Sequence, residues 1–269
     1  MSVNTPVVDR APKYPGRVRL TPVSGQANVY DMTRADQPSN AGTPINKALL
    51  DQKAYTLTRN VTLYVSPGGN DTTGNGTSTA PYKTINKALS TIPKCLGGFT
   101  ATVNVAAGIY NENVTIQHFG NGNLAITGVA GTAVTVSGML VDNVKSLEIN
   151  NITLNISGGF LHLIGSNVRV LSPFSASGAQ YGVYASYFSD AVFVNTVTIN
   201  DTTDNAVIST NCSSVYIQRL AGTGNNVALA STRGAICSFG INESTSEILY
   251  YVVEGGRIFA GSQTSIPNY

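Results

Sequence analysis

The stretch Leu147–Val170, LEINNITLNISGGFLHLIGSNVRV, contains pairs of apolar residues separated by one other residue. Such pairs recur along the chain at intervals of 21 to 24 residues: Val103/Val105, Leu124/Ile126, Leu147/Ile149, Val168/Val170, Val192/Val194 and Val215/Ile217. Alternate residues of a strand point to opposite sides, so both members of each pair are expected to point inward and the middle residue outward. Strand pieces that repeat at this interval are typical of a solenoid.

Two further series of apolar residues follow similar intervals. One contains Leu161/Leu163, Val183, Val207 and Val227/Leu229, and the other contains Val114/Ile116, Val134/Val136, Ile152/Leu154 and Val197/Ile199. Each repeat therefore holds two or three short strands, and stacked coils bury the apolar side chains that one coil cannot bury alone. A leucine-rich repeat has a similar interval, but its regular Leu-x-x-Leu-x-Leu frame is missing. The pattern predicts an all-β fold, a parallel β-helix over residues 60–269.

The composition excludes some classes of partner. Charged residues make up 11% of the 269 residues, against about a quarter in typical proteins, and the net charge is +2. This charge provides neither a strong field for nucleic acid nor a polybasic patch for membranes, so we expect neither partner. Cys95, Cys212 and Cys237 have no metal-type or disulfide-type spacing, and we expect small buried side chains in a reducing compartment. Because no apolar signal segment follows Met1, we expect synthesis in the cytoplasm without a signal peptide.

Residues 1–59 differ from the rest because prolines interrupt every regular pattern. A short strand is predicted around Arg17–Leu20, and Thr43-Pro44 predicts the start of a short helix. This segment has too few apolar residues for a core of its own, so contacts with other chains are expected to order it. We interpret it as an extended attachment and oligomerisation segment, with these candidate contact residues: Arg17, Arg19, Ile45, Ala48 and Leu49.

The start of the predicted β-helix has its own pattern. Val61–Val65 is apolar and strand-like, and a turn-rich loop follows over residues 66–76. Within residues 82–92 the apolar side chains lie at helical spacing, and Pro93 stops the helix. We expect this helix to cover the first open end of the apolar column, which otherwise leaves apolar side chains and backbone groups exposed.

The motifs YVSPGGND (64–71), GTS (76–78) and APYKTINKAL (80–89) together resemble the N-terminal part of pectin-lyase-like right-handed β-helix proteins. In that superfamily a strand, a Gly/Asp/Ser loop and a P-[FY]-x-T-I-x-x-A helix lead into the coils. The resemblance implies a single-stranded right-handed parallel β-helix. It does not choose between functions, because lyases, hydrolases, adhesins and phage tail proteins share this fold.

The N-terminal motifs YPGRVRLTPV (14–23), GQANVYDMTRAD (25–36) and GTPINKALL (42–50) are similar to the leader of tail-fibre and tail-spike proteins of phages and prophages of Gram-positive bacteria. The resemblance implies a virion or a phage-tail-like particle, with the chain made in the host cytoplasm. It also implies attachment to other tail or baseplate proteins, a homotrimer, and a β-helix that presents a receptor-binding surface to bacterial glycans. A purely architectural role, without sugar binding, is a further alternative.

A catalytic alternative rests on the few acidic residues of the coils. A tail-spike depolymerase, either a glycoside hydrolase or a polysaccharide lyase, needs positioned acid and base groups, and the candidates are Asp201, Asp204 and Glu243. The segment DTTDN (201–205) is also typical of a solvated turn, since Asp and Asn side chains bond their own backbone there. No acidic calcium cluster is evident on the coils. The leading interpretation is therefore non-enzymatic, with no catalytic residue, metal or cofactor.

Aromatic residues provide the candidates for glycan or subunit contact. Tyr181, Tyr184 and Tyr187 lie within one predicted coil, and Phe193 and Tyr216 occupy the outward middle position of their strands. Tyrosine combines a flat apolar face with a polar tip, which suits sugar rings and subunit interfaces alike. Ordinary stacking of aromatic residues along the β-helix is the alternative. His162 is also expected to point outward, as a solvated imidazole.

Overall fold

The structure is a computed structural model, and it describes residues 11–12, 18–22, 24, 30–34, 38–40, 56–233 and 235–260. The chain divides into two units, residues 1–54 and residues 55–269. Among the described residues, strands account for 57% and helix for 3%, so the fold is all-β.

The described strands of the first unit form two antiparallel pairs. Strand β1 (Ala11–Pro12) pairs with β4 (Pro38–Asn40), and β2 (Val18–Pro22) pairs with β3 (Tyr30–Arg34). Arg19 belongs to β2, where a strand was predicted. The other attachment candidates lie outside the described residues, and so does the helix predicted from Thr43; these candidates are Arg17, Ile45, Ala48 and Leu49.

The second unit is a parallel β-solenoid of about six turns, as predicted. Its helix is α1 (Ile85–Thr91), and its strands are β5 (Val61–Val65), β6 (Thr100–Val105), β7 (Gly108–Gln117), β8 (Asn123–Thr127), β9 (Thr132–Asp142), β10 (Leu147–Ile149), β11 (Ile152–Ser157), β12 (Leu161–Ile164), β13 (Asn167–Val170), β14 (Phe174–Ser177), β15 (Val183–Ser186), β16 (Asp190–Asn200), β17 (Asn205–Ser209), β18 (Ser214–Ala221), β19 (Asn225–Thr232), β20 (Ile236–Asn242), β21 (Ser246–Val253) and β22 (Arg257–Ala260). Each strand pairs in parallel with the equivalent strand of the next coil.

The paired strands form three faces. The first face contains β5, β6, β8, β10, β13, the first parts of β16 and β18, β20 and β22. The second face contains the first parts of β7 and β9, then β11, β14 and the second parts of β16 and β18. The third face contains the second parts of β7 and β9, then β12, β15, β17, β19 and β21.

The inward residues of the three faces form one continuous apolar core. On the first face the predicted pairs Leu124/Ile126, Leu147/Ile149 and Val168/Val170 stack in register. The pair that stacks on Leu124/Ile126 from the preceding coil is Ala101/Val103, so the predicted pair Val103/Val105 is displaced by two residues. On the third face Leu161, Val183, Val207 and Leu229 stack in line, as their series predicted.

The predicted register of β16 is wrong. Ala191 and Phe193 point inward, and Phe193 is only 1% exposed, whereas Val194 is 36% exposed on the outside. All four residues of Ala191–Val194 are apolar, so either alternate pair could point inward, and the pattern of this strand alone does not decide which pair does. Pairing with neighbouring coils decides it, because Val170 and Ile217 both lie opposite Phe193. Phe193 is therefore a core residue and not an outward glycan or interface contact.

The cysteines follow the prediction in one case out of three. Cys237 is buried in the first-face ladder between Val215 and Ile258. Burial raises the pKa of its thiol to about 12, so it behaves as a small apolar side chain. Cys95 is only partly buried and Cys212 is exposed, because both lie outside the inward strand positions.

Helix α1 is held by two acidic residues. The carboxylate of Asp71 accepts hydrogen bonds from the backbone N and the Oγ1 of Thr84, at 3.1 and 2.7 Å. The carboxylate of Glu112 accepts from the backbone N of Ile85 and of Asn86, at 2.7 and 3.0 Å. These bonds satisfy N–H groups that the first turn of a helix leaves without partners. The apolar side of α1 then packs in the core of the solenoid.

Candidate functional site

Two aromatic rings stack on the outside of the third face. His162 of β12 and Tyr184 of β15 are direct neighbours in the parallel register, and both point outward. Their ring centroids are 4.8 Å apart and their planes differ by 11°. This distance is the ordinary spacing of paired strands, so the register itself produces the stack.

Two further aromatic residues complete this group from the turns that precede the same strands. The ring of Tyr181 stacks on Tyr184 at 5.1 Å, and its edge meets Phe160 at 5.5 Å and 80°. Phe160 also lies 5.7 Å from His162. We call Phe160, His162, Tyr181 and Tyr184 the aromatic flank. Offset and edge-to-face contacts of this kind stabilise aromatic groups beyond the burial of their area.

The electrostatic setting of the aromatic flank differs from that of free side chains. Partial burial lowers the pKa of His162, while the negative charge of Asp142 opposes that shift. Burial raises the pKa of Tyr181, and the charge and hydrogen bond of Asp204 raise it further. The Tyr181 hydroxyl accepts a hydrogen bond from Nε2 of Gln180 at 3.1 Å, and the backbone N of Asp204 donates to the backbone oxygen of Gln180 at 3.1 Å. The flank is thus tied to the turn that contains Asp204.

A polar cleft of about 590 Å³ lies at the corners between the second and third faces. Three successive turns contribute to it: the turns between β16 and β17, between β18 and β19, and between β20 and β21. We call it the corner cleft, and its lining residues are Thr202, Gly224, Asn225, Asn226, Thr245, Ser246 and Glu247.

A buried amide organises the wall of the corner cleft. Oδ1 of Asn225 accepts hydrogen bonds from the backbone N and Oγ1 of Thr202, at 3.2 and 2.9 Å. Its Nδ2 donates to the backbone oxygen of Ile199 at 2.8 Å. Gly224 has a φ of +71°, and a Cβ on it would lie 2.2 Å from Oδ1 of Asp201. Asp201 therefore lies beside the cleft wall, and the left-handed φ at position 224 favours glycine.

The three candidate carboxylates have separate surroundings. Asp201 follows β16 and lies beside Gly224. Asp204 accepts a hydrogen bond from Nδ2 of Asn205 at 2.6 Å, and its backbone N donates to the oxygen of Gln180 at 3.1 Å. Glu243 forms an exposed ion pair with Arg219 at 3.0 Å. Within the described part of the chain, no group of three or more His, Cys, Asp and Glu residues is placed to hold a metal ion.

The predicted aromatic candidates occupy four different places. Tyr181 and Tyr184 belong to the aromatic flank. Tyr187 follows β15 at an outer corner, where it and Phe188 are 60% and 75% exposed. Both have left-handed φ values, 54° and 61°, which bulky residues rarely adopt. Tyr216 points outward on the first face. The fifth candidate, Phe193, is in the core.

Sequence reasoning missed half of the aromatic flank. Phe160 was not singled out, and His162 was expected to be solvated, although its outward direction was predicted correctly. The usable signal was the recurrence of aromatic rings one coil apart, at Phe160 and Tyr181 and again at His162 and Tyr184. The corner cleft was missed except for its neighbour Asp201.

Comparisons of the chain with family models, with curated proteins and with solved structures gave no match. Within the described residues, helical segments are too short or too polar to span a bilayer. The local geometry and the sequence motifs are therefore the basis for a functional interpretation.

Proposed function

We propose that the protein is a tail fibre or tail spike of a bacteriophage or phage-tail-like particle, and that it binds glycans of the host surface. The N-terminal segment would attach the chain, as a homotrimer, to other tail or baseplate proteins. The solenoid, of the right-handed pectin-lyase-like type, would project as the receptor-binding part, with α1 covering its first end. The tail assignment is supported by the leader and helix motifs, and glycan binding by the site on the solenoid.

The observation that carries glycan binding is an aromatic flank joined to a polar cleft. A sugar ring has apolar C–H faces that pack on aromatic rings, and hydroxyl groups that bond amides, hydroxyls and carboxylates. The cleft volume of about 590 Å³ falls within the roughly 300–1,000 Å³ of small-molecule sites. The turn that contributes Thr202 to the cleft also contains Asp204, whose backbone N donates to the oxygen of Gln180, beside Tyr181, at 3.1 Å, so one oligosaccharide can contact both parts.

Binding of the full chain to surface polysaccharide purified from candidate hosts tests this function. Tyr184→Ala and Phe160→Ala each remove a ring from the flank and should weaken binding about tenfold or more, as for other aromatic anchors. Tyr216→Ala is the matched control, because that ring lies on the first face, and it should leave binding unchanged. Absence of binding to all host polysaccharides would favour the purely architectural role, and an equal effect of all three changes would reject this flank as the site.

The attachment role requires a second experiment, with a chain that starts at Tyr55. Leu57 packs on the core, and its backbone N donates to the oxygen of Cys95 at 3.0 Å. A cut at residue 60 would remove that contact, whereas a cut before Tyr55 leaves the whole second unit. The shortened chain should keep its β-sheet circular dichroism spectrum and its glycan binding but fail to join the particle. Normal incorporation would reject the attachment role.

A depolymerase is the second candidate, because Asp201 lies against the corner cleft and Glu247 lines it. Its carboxylates would be Asp201, Asp204 or Glu243, although Arg219 already pairs with Glu243. We expect no release of reducing ends or unsaturated sugars from bound polysaccharide. Cleavage that disappears in Asp201→Asn or Asp204→Asn, but persists in the control Glu148→Gln on the first face, would establish the enzyme instead.

A further inference from the structure

The corner cleft offers hydrogen bonds without positive charge. Six of its seven lining residues are Gly, Thr, Asn or Ser, and the seventh is the carboxylate Glu247. In the part of the chain that the structure describes, neither Lys, Arg nor His lines it. Donors and acceptors without a cation suit a ligand with many hydroxyl groups and no negative charge of its own.

The charged side chains described near the corner cleft are carboxylates, apart from Arg219, which is already paired. Asp201 lies beside Gly224 in the wall, and Asp204 belongs to the same turn as Thr202. Arg219 is on the strand before this wall, and its guanidinium is paired with Glu243 at 3.0 Å. An anionic ligand would lose its hydration without gaining a cationic partner, and it would meet carboxylates. Hydroxyl groups can instead donate to those carboxylates.

The corner cleft also has hydrogen-bonding capacity that the protein does not use. Oγ of Ser246 is buried and has no hydrogen-bond partner among the described residues. The amide of Asn225 accepts two hydrogen bonds from Thr202 and donates one to Ile199, so it forms a fixed wall. Asn226 and Glu247 are exposed at the opening. A buried hydroxyl without a partner is unfavourable, so a ligand group that reaches Ser246 gains from satisfying it.

From this geometry we propose that the corner cleft binds an uncharged sugar unit of the glycan that the aromatic flank holds, and that it excludes acidic sugars. This selectivity rests on the proposed glycan-binding function. The flank provides ring stacking that any sugar can use, and the cleft decides between neutral units and units with a carboxylate or phosphate. The specificity therefore comes from the repulsive charge of Asp201, Asp204 and Glu247 as much as from attraction.

An array of bacterial glycans that contains neutral members and their uronic acid or phosphorylated counterparts tests the proposal on the full chain. The wild type should bind neutral members at least about tenfold more tightly than their anionic counterparts. Glu247→Lys should lose most of the neutral binding and gain anionic binding. Glu148→Lys, with the same charge change on the first face, should keep the wild-type preference.

Three results would overturn the proposal. The first is tighter binding of an anionic member than of its neutral counterpart by the wild type. The second is the same shift of preference in Glu148→Lys and Glu247→Lys, which would indicate net charge and not the cleft. The third is a Glu247→Lys variant that keeps the preference for neutral glycans while Tyr184→Ala weakens the binding of every glycan on the array. That result would leave the proposed glycan binding intact and reject only the role of the corner cleft in selectivity. Failure of every glycan to bind would instead reject the proposed function itself.

Discussion

Replacing Phe193 tests the inward and outward sides of the solenoid. Its ring is 1% exposed and meets the edge of Phe174 at 5.6 Å and 61°. Phe193→Ala leaves a cavity in the packed column and should lower the free energy of unfolding by about 3–5 kcal/mol. Of this, about 0.5–1.5 kcal/mol belongs to the aromatic pair. Val194 points outward in the same strand, so Val194→Ala should change stability by about 0.5 kcal/mol or less.

Guanidinium unfolding of the full chain, followed by far-UV circular dichroism, measures the difference. Transition midpoints are compared, because long repeat arrays can depart from two-state unfolding. Phe193→Ala should shift the midpoint strongly, since whole domains are stable by only about 5–15 kcal/mol. Phe193→Asp should prevent folding by burying an unpaired charge, while Val194→Asp should fold. Equal midpoints for the two alanine variants, or a larger loss at Val194, would refute this register.

Three other residues give independent predictions. The pKa of Asp71 is lowered because, although burial raises it, hydrogen bonds from Thr84 and Lys83 outweigh burial. The ionised Asp71 should therefore stabilise the fold above pH 3.8, its pKa in the unfolded chain, and this stabilisation should be lost as the pH falls through the lower pKa of the folded state. Acid unfolding of Asp71→Asn should show no such loss of stability. Burial lowers the pKa of His162, so the neutral imidazole should stabilise the fold fully above pH 6.5, and this stabilisation should be lost as the pH falls below that value. Between pH 8 and pH 5 the melting temperature of His162→Phe should therefore vary less with pH than that of the wild type. The left-handed φ of Tyr187 costs about 1–2 kcal/mol, and Tyr187→Gly removes that cost while adding about 0.5–1 kcal/mol of chain entropy in the unfolded state. The melting temperature should therefore stay the same or rise, and a melting temperature below that of the wild type would contradict the strain.

Much of the fold follows from spacing in the sequence. The pairs Leu124/Ile126 and Leu147/Ile149 mark inward positions because polar residues flank them. The same reasoning failed at Ala191–Val194, where four apolar residues in a row satisfy either register. There the choice depends on the neighbouring coils, which a single strand does not encode.

The candidate site was harder to predict, because its members come from different coils. Phe160 and Tyr181 are in contact because the number of residues in the corners between β12 and β15 places them at the same position of successive coils. The number of corner residues differs from coil to coil, so it could not be assumed. Likewise, Thr202 and Ser246 share a cleft through three stacked turns. In the sequence, these turn residues predict solvated corners, and nothing in a single turn indicates which other turns it stacks on, because stacking is a tertiary property.

The most direct test of glycan recognition by this flank is a crystal structure of the full chain with a neutral oligosaccharide from a polysaccharide that it binds. We predict a sugar ring packed on the rings of Phe160, Tyr181 and Tyr184, with hydroxyl groups bonded to Ser246 and Glu247 in the corner cleft. An oligosaccharide bound on the first face beside Tyr216, with the aromatic flank and the cleft free of sugar, would contradict it.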